Sequence, residues 1–260
     1  MQENVPRSVA MVVEYDGTRY AGFQLQTNAP TIQGELEKAI TRMSLAPARV
    51  RAAGRTDCGV HAQGQVVAFT TDSHLPCETL VRGINHFLPA DIAVRAGYDV
   101  PSAFDPRRHA RSRVYRYTLL NVANRSPLKE RYAYRVKERL DGEAMRKALQ
   151  GLEGEHDFAP LSGPVSPGES TVRNVYATRL WQEEDLVSFE VEANAFLPHQ
   201  MRRIGGMLVA VGKGRLSLGE VGAMMDGRNN TVPSGKMNTL PPQGLCLMQV
   251  KYEGFPPNGY

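Results

Sequence analysis

At 260 residues, with 42% apolar and 22% charged side chains, the chain has the length and composition of a soluble globular protein of one large domain or two modest ones. Its purest apolar run, GGMLVAVG, is far shorter than the roughly 18 residues of a spanning helix, and the opening MQENVPRSVAM has no apolar core, so neither a membrane span nor a signal peptide is expected. Three scattered cysteines, Cys58, Cys77 and Cys246, form no CxxC and point to a reducing cytoplasm.

Apolar periodicity predicts a strand at 9–15, a helix at 31–43 opened by Thr31 with Glu35 in its first turn, and strands at 49–54 and 65–71. A helix at 78–88 stops before Pro89, and a strand follows at 92–98. This is β-α-β-β-α-β. The order recurs as a strand at 113–121, a helix at 141–152, strands at 172–181 and 186–194, a helix at 199–212 and a strand at 245–252, with a short extra helix at 217–226. Two long Pro/Gly/Ser-rich loops, 155–170 and 227–244, interrupt the second half. The expected fold class is therefore α+β. It comprises two ferredoxin-like subdomains, 1–107 and 108–260, with a mostly antiparallel central sheet and a cleft between the halves.

The net charge of +4 is unevenly placed. Residues 101–140 hold nine Arg and two Lys against Asp105, Glu130 and Glu138, a net +8; the remaining twenty basic and twenty-four acidic residues give −4. Such a block is either a solvated face or a surface for a polyanion such as nucleic acid.

One short stretch carries chemistry: AGRTDCGVHAQGQVVAF, from Ala53 to Phe69. Asp57 beside Gly59 reads either as ordinary turn chemistry or as a carboxylate nucleophile. Arg55, two residues earlier, can face the same way and favour the ionised carboxylate. No twin carboxylates suit a glycosidase, and no HExxH or paired cysteines suit a metal. His61, His156 and His199 read as surface or core hydrogen-bonders, and VGKGR at 211–215 lacks the frame of a phosphate loop. Tyr115 and Tyr117 alternate on one strand amid Arg111, Arg113 and Arg116, so half-buried aromatics and a base-stacking platform are both open readings. Gly205 and Gly206 read as close helix packing, and Arg202 and Arg203 follow each other near the start of the same helix. An arginine facing inward needs a carboxylate partner, and Asp57 is the candidate.

GRTDCGVHAQGQVV at 54–67 closely resembles the signature of the TruA family of tRNA pseudouridine synthases. The resemblance runs through EYDGTRYAGFQ (14–24), LPADIAV (88–94), the RVYRY strand, GEHDF (154–158), ANAFLPHQMRRIGG (193–206) and GLCL (244–247). It implies Asp57 as the catalytic residue with Arg55 as its neighbour, Tyr115 against the uracil, an arginine paired with Asp57, and Leu245 in the apolar wall. The family pattern F-x-x-x-M-V-R-x-I-x-G is shifted here. Counting from Phe196, or back from Ile204 and Gly206, selects Arg202, whereas Met201 selects Arg203; two anchors against one favour Arg202. Cys58 stands where the family carries Ala and is not read as a second nucleophile.

The implied activity isomerises uridine to pseudouridine at the three tRNA positions just 3′ of the anticodon (38–40), by a homodimer, with no cofactor or metal and no membrane. The rival readings are a non-catalytic tRNA-binding module and a pseudouridine synthase of another RNA position.

Overall fold

The computed structural model describes residues 6–226 and 237–255. By contact the chain divides into two compact units, Met1–Arg111 with Leu247–Tyr260, and Ser112–Cys246.

In the first unit β1 (Arg7–Tyr15) is followed by α1 (Ile32–Ser44), β2 (Arg51–Ala52), β3 (His61–Thr71), α2 (Cys77–Phe87) and β4 (Ile92–Val100). The strands lie in the order β4-β1-β3-β2 with every neighbouring pair antiparallel. Each β-α-β crossover thus leaves a gap that a strand of the other fills, the split arrangement expected from the element order. β1 is apolar without alternation because it is central, and Val9 to Val13 are all fully buried. Thr31 caps α1, its side chain accepting from Gly34 N–H at 3.2 Å. Asn85 ties α2 to the edge strand by bonding both the N–H and the carbonyl of Val94, at 2.7 and 2.8 Å. Beside the sheet, Tyr252 and Phe255 pack on Phe104, Ala10 and Ala68.

In the second unit β5 (Ser112–Asn121) leads through β6 (Tyr134–Val136), α3 (Gly142–Gln150) and β7 (Gly154–Asp157) to β8 (Val172–Glu183) and β9 (Leu186–Ala193), then α4 (Gln200–Gly212) and α5 (Leu218–Met225). β5, β9, β8 and β7 are antiparallel neighbours in that order, while β6 runs parallel to the end of β5. The last strand, β10 (Leu245–Lys251), begins in this unit and ends in the first. α4 is apolar nearly all round, and from Ile204 to Gly212 it is buried throughout. Both units are mixed α+β with mostly antiparallel pairing, the fold class expected from sequence.

Several boundaries differ from expectation. The strand placed at 49–54 shrinks to Arg51–Ala52, because Gly54 O is claimed by the Gln65 side chain and the chain then turns. β3 starts four residues before the expected 65, its HAQG lead lacking an apolar run to announce it. Neither β6 nor β7 was expected, and β7 with the 3-10 turn Ala159–Leu161 orders the start of the supposed loop 155–170. Of the second expected loop, 227–244, residues 227–236 lie outside the described residues.

Candidate active site

In the first unit the Asp57 segment links β2 to β3, and three of the sequence motifs meet there. The strap 14–24 clasps it from one side. Phe23 N–H donates to Thr56 O at 3.0 Å, Gly59 N–H to Tyr20 O at 3.3 Å, and Gly17 N–H to His61 Nδ1 at 3.1 Å. Such a backbone-on-backbone approach leaves no room for side chains. A Cβ on Gly17 would stand 2.0 Å from the Val60 carbonyl oxygen, and one on Gly22, where φ is +97°, 2.9 Å from that of Thr56. The strap is anchored in turn by the 88–94 motif. Asp91 accepts from the Tyr20 hydroxyl at 2.6 Å and from Arg19 Nε at 2.8 Å, and its carbonyl accepts from Asp16 N–H at 2.9 Å. Burial first, and the hydrogen bond to Asp91 second, push the Tyr20 phenol well above its ordinary value.

The segment itself is a β-turn, closed by Val60 N–H donating to Asp57 O at 3.2 Å with Gly59 in its left-handed position at φ +77°. Turn chemistry and an available carboxylate therefore coexist, with Asp57 half-buried. From below, the Tyr15 hydroxyl and Thr56 Oγ1 lie 2.8 Å apart, and Gln65 Nε2 donates to Gly54 O at 3.0 Å. Arg55 is exposed and makes no ion pair or hydrogen bond with another described residue, Asp57 included. His61 is a buried hydrogen-bonder beside Asp16, at 3.2 Å. Among the described residues no group of three or more His, Cys, Asp or Glu converges as metal ligands would.

In the second unit Tyr115 lies on β5 opposite Val191, half-buried, its ring meeting Phe196 edge-on at 4.9 Å. Tyr117 is different and corrects the idea of a two-tyrosine platform. It is fully buried, stacked on Phe189, and its hydroxyl donates to Pro241 O at 2.7 Å. Burial, opposed by the nearby charge of Arg202, holds its phenol far above the usual range. Arg116 alternates to the opposite face, where it grips Glu190 at 2.7 Å and lies over the Trp181 ring.

Arg202 on α4 is bound to the segment that leads into β10, Nε donating to Leu240 O at 2.7 Å. Gly206 and Gly205 admit that segment: a Cβ on Gly206 would stand 1.9 Å from Asn238 O, and one on Gly205 2.7 Å from Leu240 Cδ1. These glycines allow the close packing expected on the helix, against the 238–240 segment and Phe189. Gly244 repeats the device, since a Cβ there would press to 2.7 Å on both the Tyr117 ring and Thr118 O. Leu245, next along, is buried. Arg203 points elsewhere, with its Nε buried and unpartnered.

The basic block is only partly neutralised. Arg111 pairs with Glu253, Arg125 and Arg135 share Glu130, and Lys129 approaches Glu184 and Asp185. Arg108, Lys137 and Arg139 are exposed without an ion pair among the described residues. Asp105 accepts from the backbone N–H of Arg107 and Arg108 at 2.8 and 2.9 Å, and these bonds with Arg51 hold its carboxyl below the ordinary value. Residues missed from sequence are the supports: Tyr15, Gln65, Asp91, Leu240 and Gly244. All but Leu240 lie inside the segments that carry the family resemblance, and Gln65 also stood out as a polar side chain inside an apolar strand.

A family model described as tRNA pseudouridine synthase matches residues 11–107 and 148–253, which include the Asp57 turn and α4. Proteins named tRNA pseudouridine synthase A are similar over nearly the full length of both partners. That of Geobacter sp. (strain M21) is 43% identical over 95% of this chain and 99% of its own. That of Citrifermentans bemidjiense is 42% identical over 95% and 98%, and that of Myxococcus xanthus 41% over 97% and 94%. With the motif-bearing segments of both units inside these matches, the chain belongs to the tRNA pseudouridine synthase family.

Proposed function

We propose that this isomerase converts uridine to pseudouridine at positions 38–40 in the anticodon stem-loop of tRNA, with Asp57 as nucleophile, and that it works as a cytoplasmic homodimer. The reaction breaks the C1′–N1 bond, turns the uracil and joins C5 to C1′, so no atom enters or leaves. The observation that carries the reading is the Asp57 turn. It is a half-buried carboxylate whose backbone is held by hydrogen bonds from the 14–24 strap on one side and by buried side chains on the other. A carboxylate fixed in this way needs little reorganisation as charge shifts at C1′.

In this reading Tyr115 stacks on the uracil and takes the C5 proton, directly or through water. Arg202 is the arginine that binds Asp57 and Leu245 supplies apolar wall, while exposed Arg55 contacts the RNA around the flipped nucleotide. Flipping costs a few kcal/mol, which phosphate contacts from the exposed arginines and lysines of 101–140 offset.

Asp57→Asn keeps the shape and removes the charge. Mapping pseudouridine on tRNA treated with each protein should show modification at 38–40 with the wild type and none with the variant, while tRNA binding is kept. Clear turnover by the variant overturns the role of Asp57. Modification elsewhere overturns the position, and none by the wild type leaves a binding module.

A further inference from the structure

Gln65 sits within β3 beside Val66, Val67, Ala68 and Phe69, and none of it reaches solvent. A buried amide is unfavourable unless both its ends are bonded. Here only one is: Nε2 donates to Gly54 O at 3.0 Å and lies 3.5 Å from the Tyr15 hydroxyl, while Oε1 has no partner. Stability does not explain the residue, since methionine has a similar shape and leaves no orphan acceptor. Gly54 is only half-buried, so its carbonyl can bond water instead.

What the amide does is fix a place. An amide nitrogen only donates, so the Tyr15 oxygen receives from it, and the same hydroxyl lies 2.8 Å from Thr56 Oγ1, in a hydrogen bond that either oxygen can donate. The run Gln65–Tyr15–Thr56 is a buried polar rail anchored in β1 and β3. It grips the turn at Gly54 and at Thr56, on both sides of Arg55 and immediately before Asp57.

We propose that Gln65, acting through Tyr15 and Thr56, is a positioning residue that sets where the Asp57 carboxylate stands. This rests on the reading of Asp57 as nucleophile. A displacement of about 1 Å at a reacting group is enough for a rate loss on the order of 10²-fold.

Gln65→Met tests it. The melting temperature should stay within a few degrees and tRNA Kd within about twofold, while the single-turnover rate at saturating tRNA falls tenfold or more. Tyr15→Phe should lose rate in the same manner, and the double variant should lose no more than the worse single, because the rail acts as one unit. Should Gln65→Met fail to fold, Tyr15→Phe decides on the same readouts. A full rate, or a loss matched by weaker binding or a lower melting temperature, overturns the proposal. Asp57→Asn is measured alongside. Turnover in that variant sinks the nucleophile reading, whereas an inactive Asp57→Asn with full-rate Gln65→Met sinks the rail alone.

Discussion

Arg202 and Leu240 are bound to each other twice. Arg202 Nε donates to the carbonyl of Leu240 at 2.7 Å, and the N–H of Leu240 donates to the carbonyl of Arg202 at 3.1 Å. The side chain is thereby aimed by its own Nε, an atom that lysine lacks. Arg202→Lys keeps the charge but loses that bond, and turnover should fall roughly 10- to 100-fold, in line with a hydrogen bond from a charged donor. Arg203 Nε has no partner to lose, so Arg203→Lys should alter stability by no more than about 0.5 kcal/mol and leave the rate nearly unchanged. Single-turnover rates on one anticodon stem-loop decide between them; a sensitive Arg203 would mean that Met201 was the true anchor of the motif.

Tyr115→Phe retains the ring and its edge-on contact with Phe196. Base stacking of roughly 1–3 kcal/mol should survive, so RNA affinity should barely change. Turnover should collapse because the hydroxyl that handles the C5 proton is gone. Tyr115→Leu should lose binding as well. A Phe variant running at the wild-type rate would reduce Tyr115 to a platform.

Tyr20 and Tyr117 should resist ionisation. Burial is the leading cause of the raised value at both. A phenol whose folded value lies above its unfolded one lends stability in full below the ordinary tyrosine value of about 10. That stability is lost as pH rises beyond it, because the unfolded chain gives up its proton first. Tyr20 and Tyr117 should therefore ionise only with alkaline unfolding. Phenolate absorbance followed together with circular dichroism tests this; their ionisation in the still-folded protein would refute it.

Affinity for tRNA should fall with salt by about 0.7–0.9 log units per log unit of salt for each phosphate contact. Replacing Arg108, Lys137 and Arg139 by alanine should flatten that slope, since these cations are exposed without an ion pair among the described residues. An unchanged slope in the triple variant would make this part of the block a solvated face only.

Where apolar periodicity was strong, the elements were legible in the sequence. Thr31 and Glu35 located the start of α1, and Pro89 placed the end of α2 within a residue. β6 and β7 escaped because three or four residues held by pairing alone carry no period of their own. For the site, the Asp57 motif stood out, but the roles of its supports did not. Gly17 and Gly22 matter through what their missing Cβ atoms would strike, and Tyr117 differs from Tyr115 only through what covers it. Neither property is local in sequence.

The first unit is discontinuous: its residues run to Arg111 and resume at Leu247. On the ribosome, Phe104 therefore emerges long before Tyr252 and Phe255, which pack against it. At about 5–20 residues per second, the intervening stretch takes roughly seven to thirty seconds to make. For that interval the nascent first unit presents an unshielded aromatic patch, so a chaperone that holds such surfaces has its window there, and a stop codon just before Tyr252 would leave the patch bare for good.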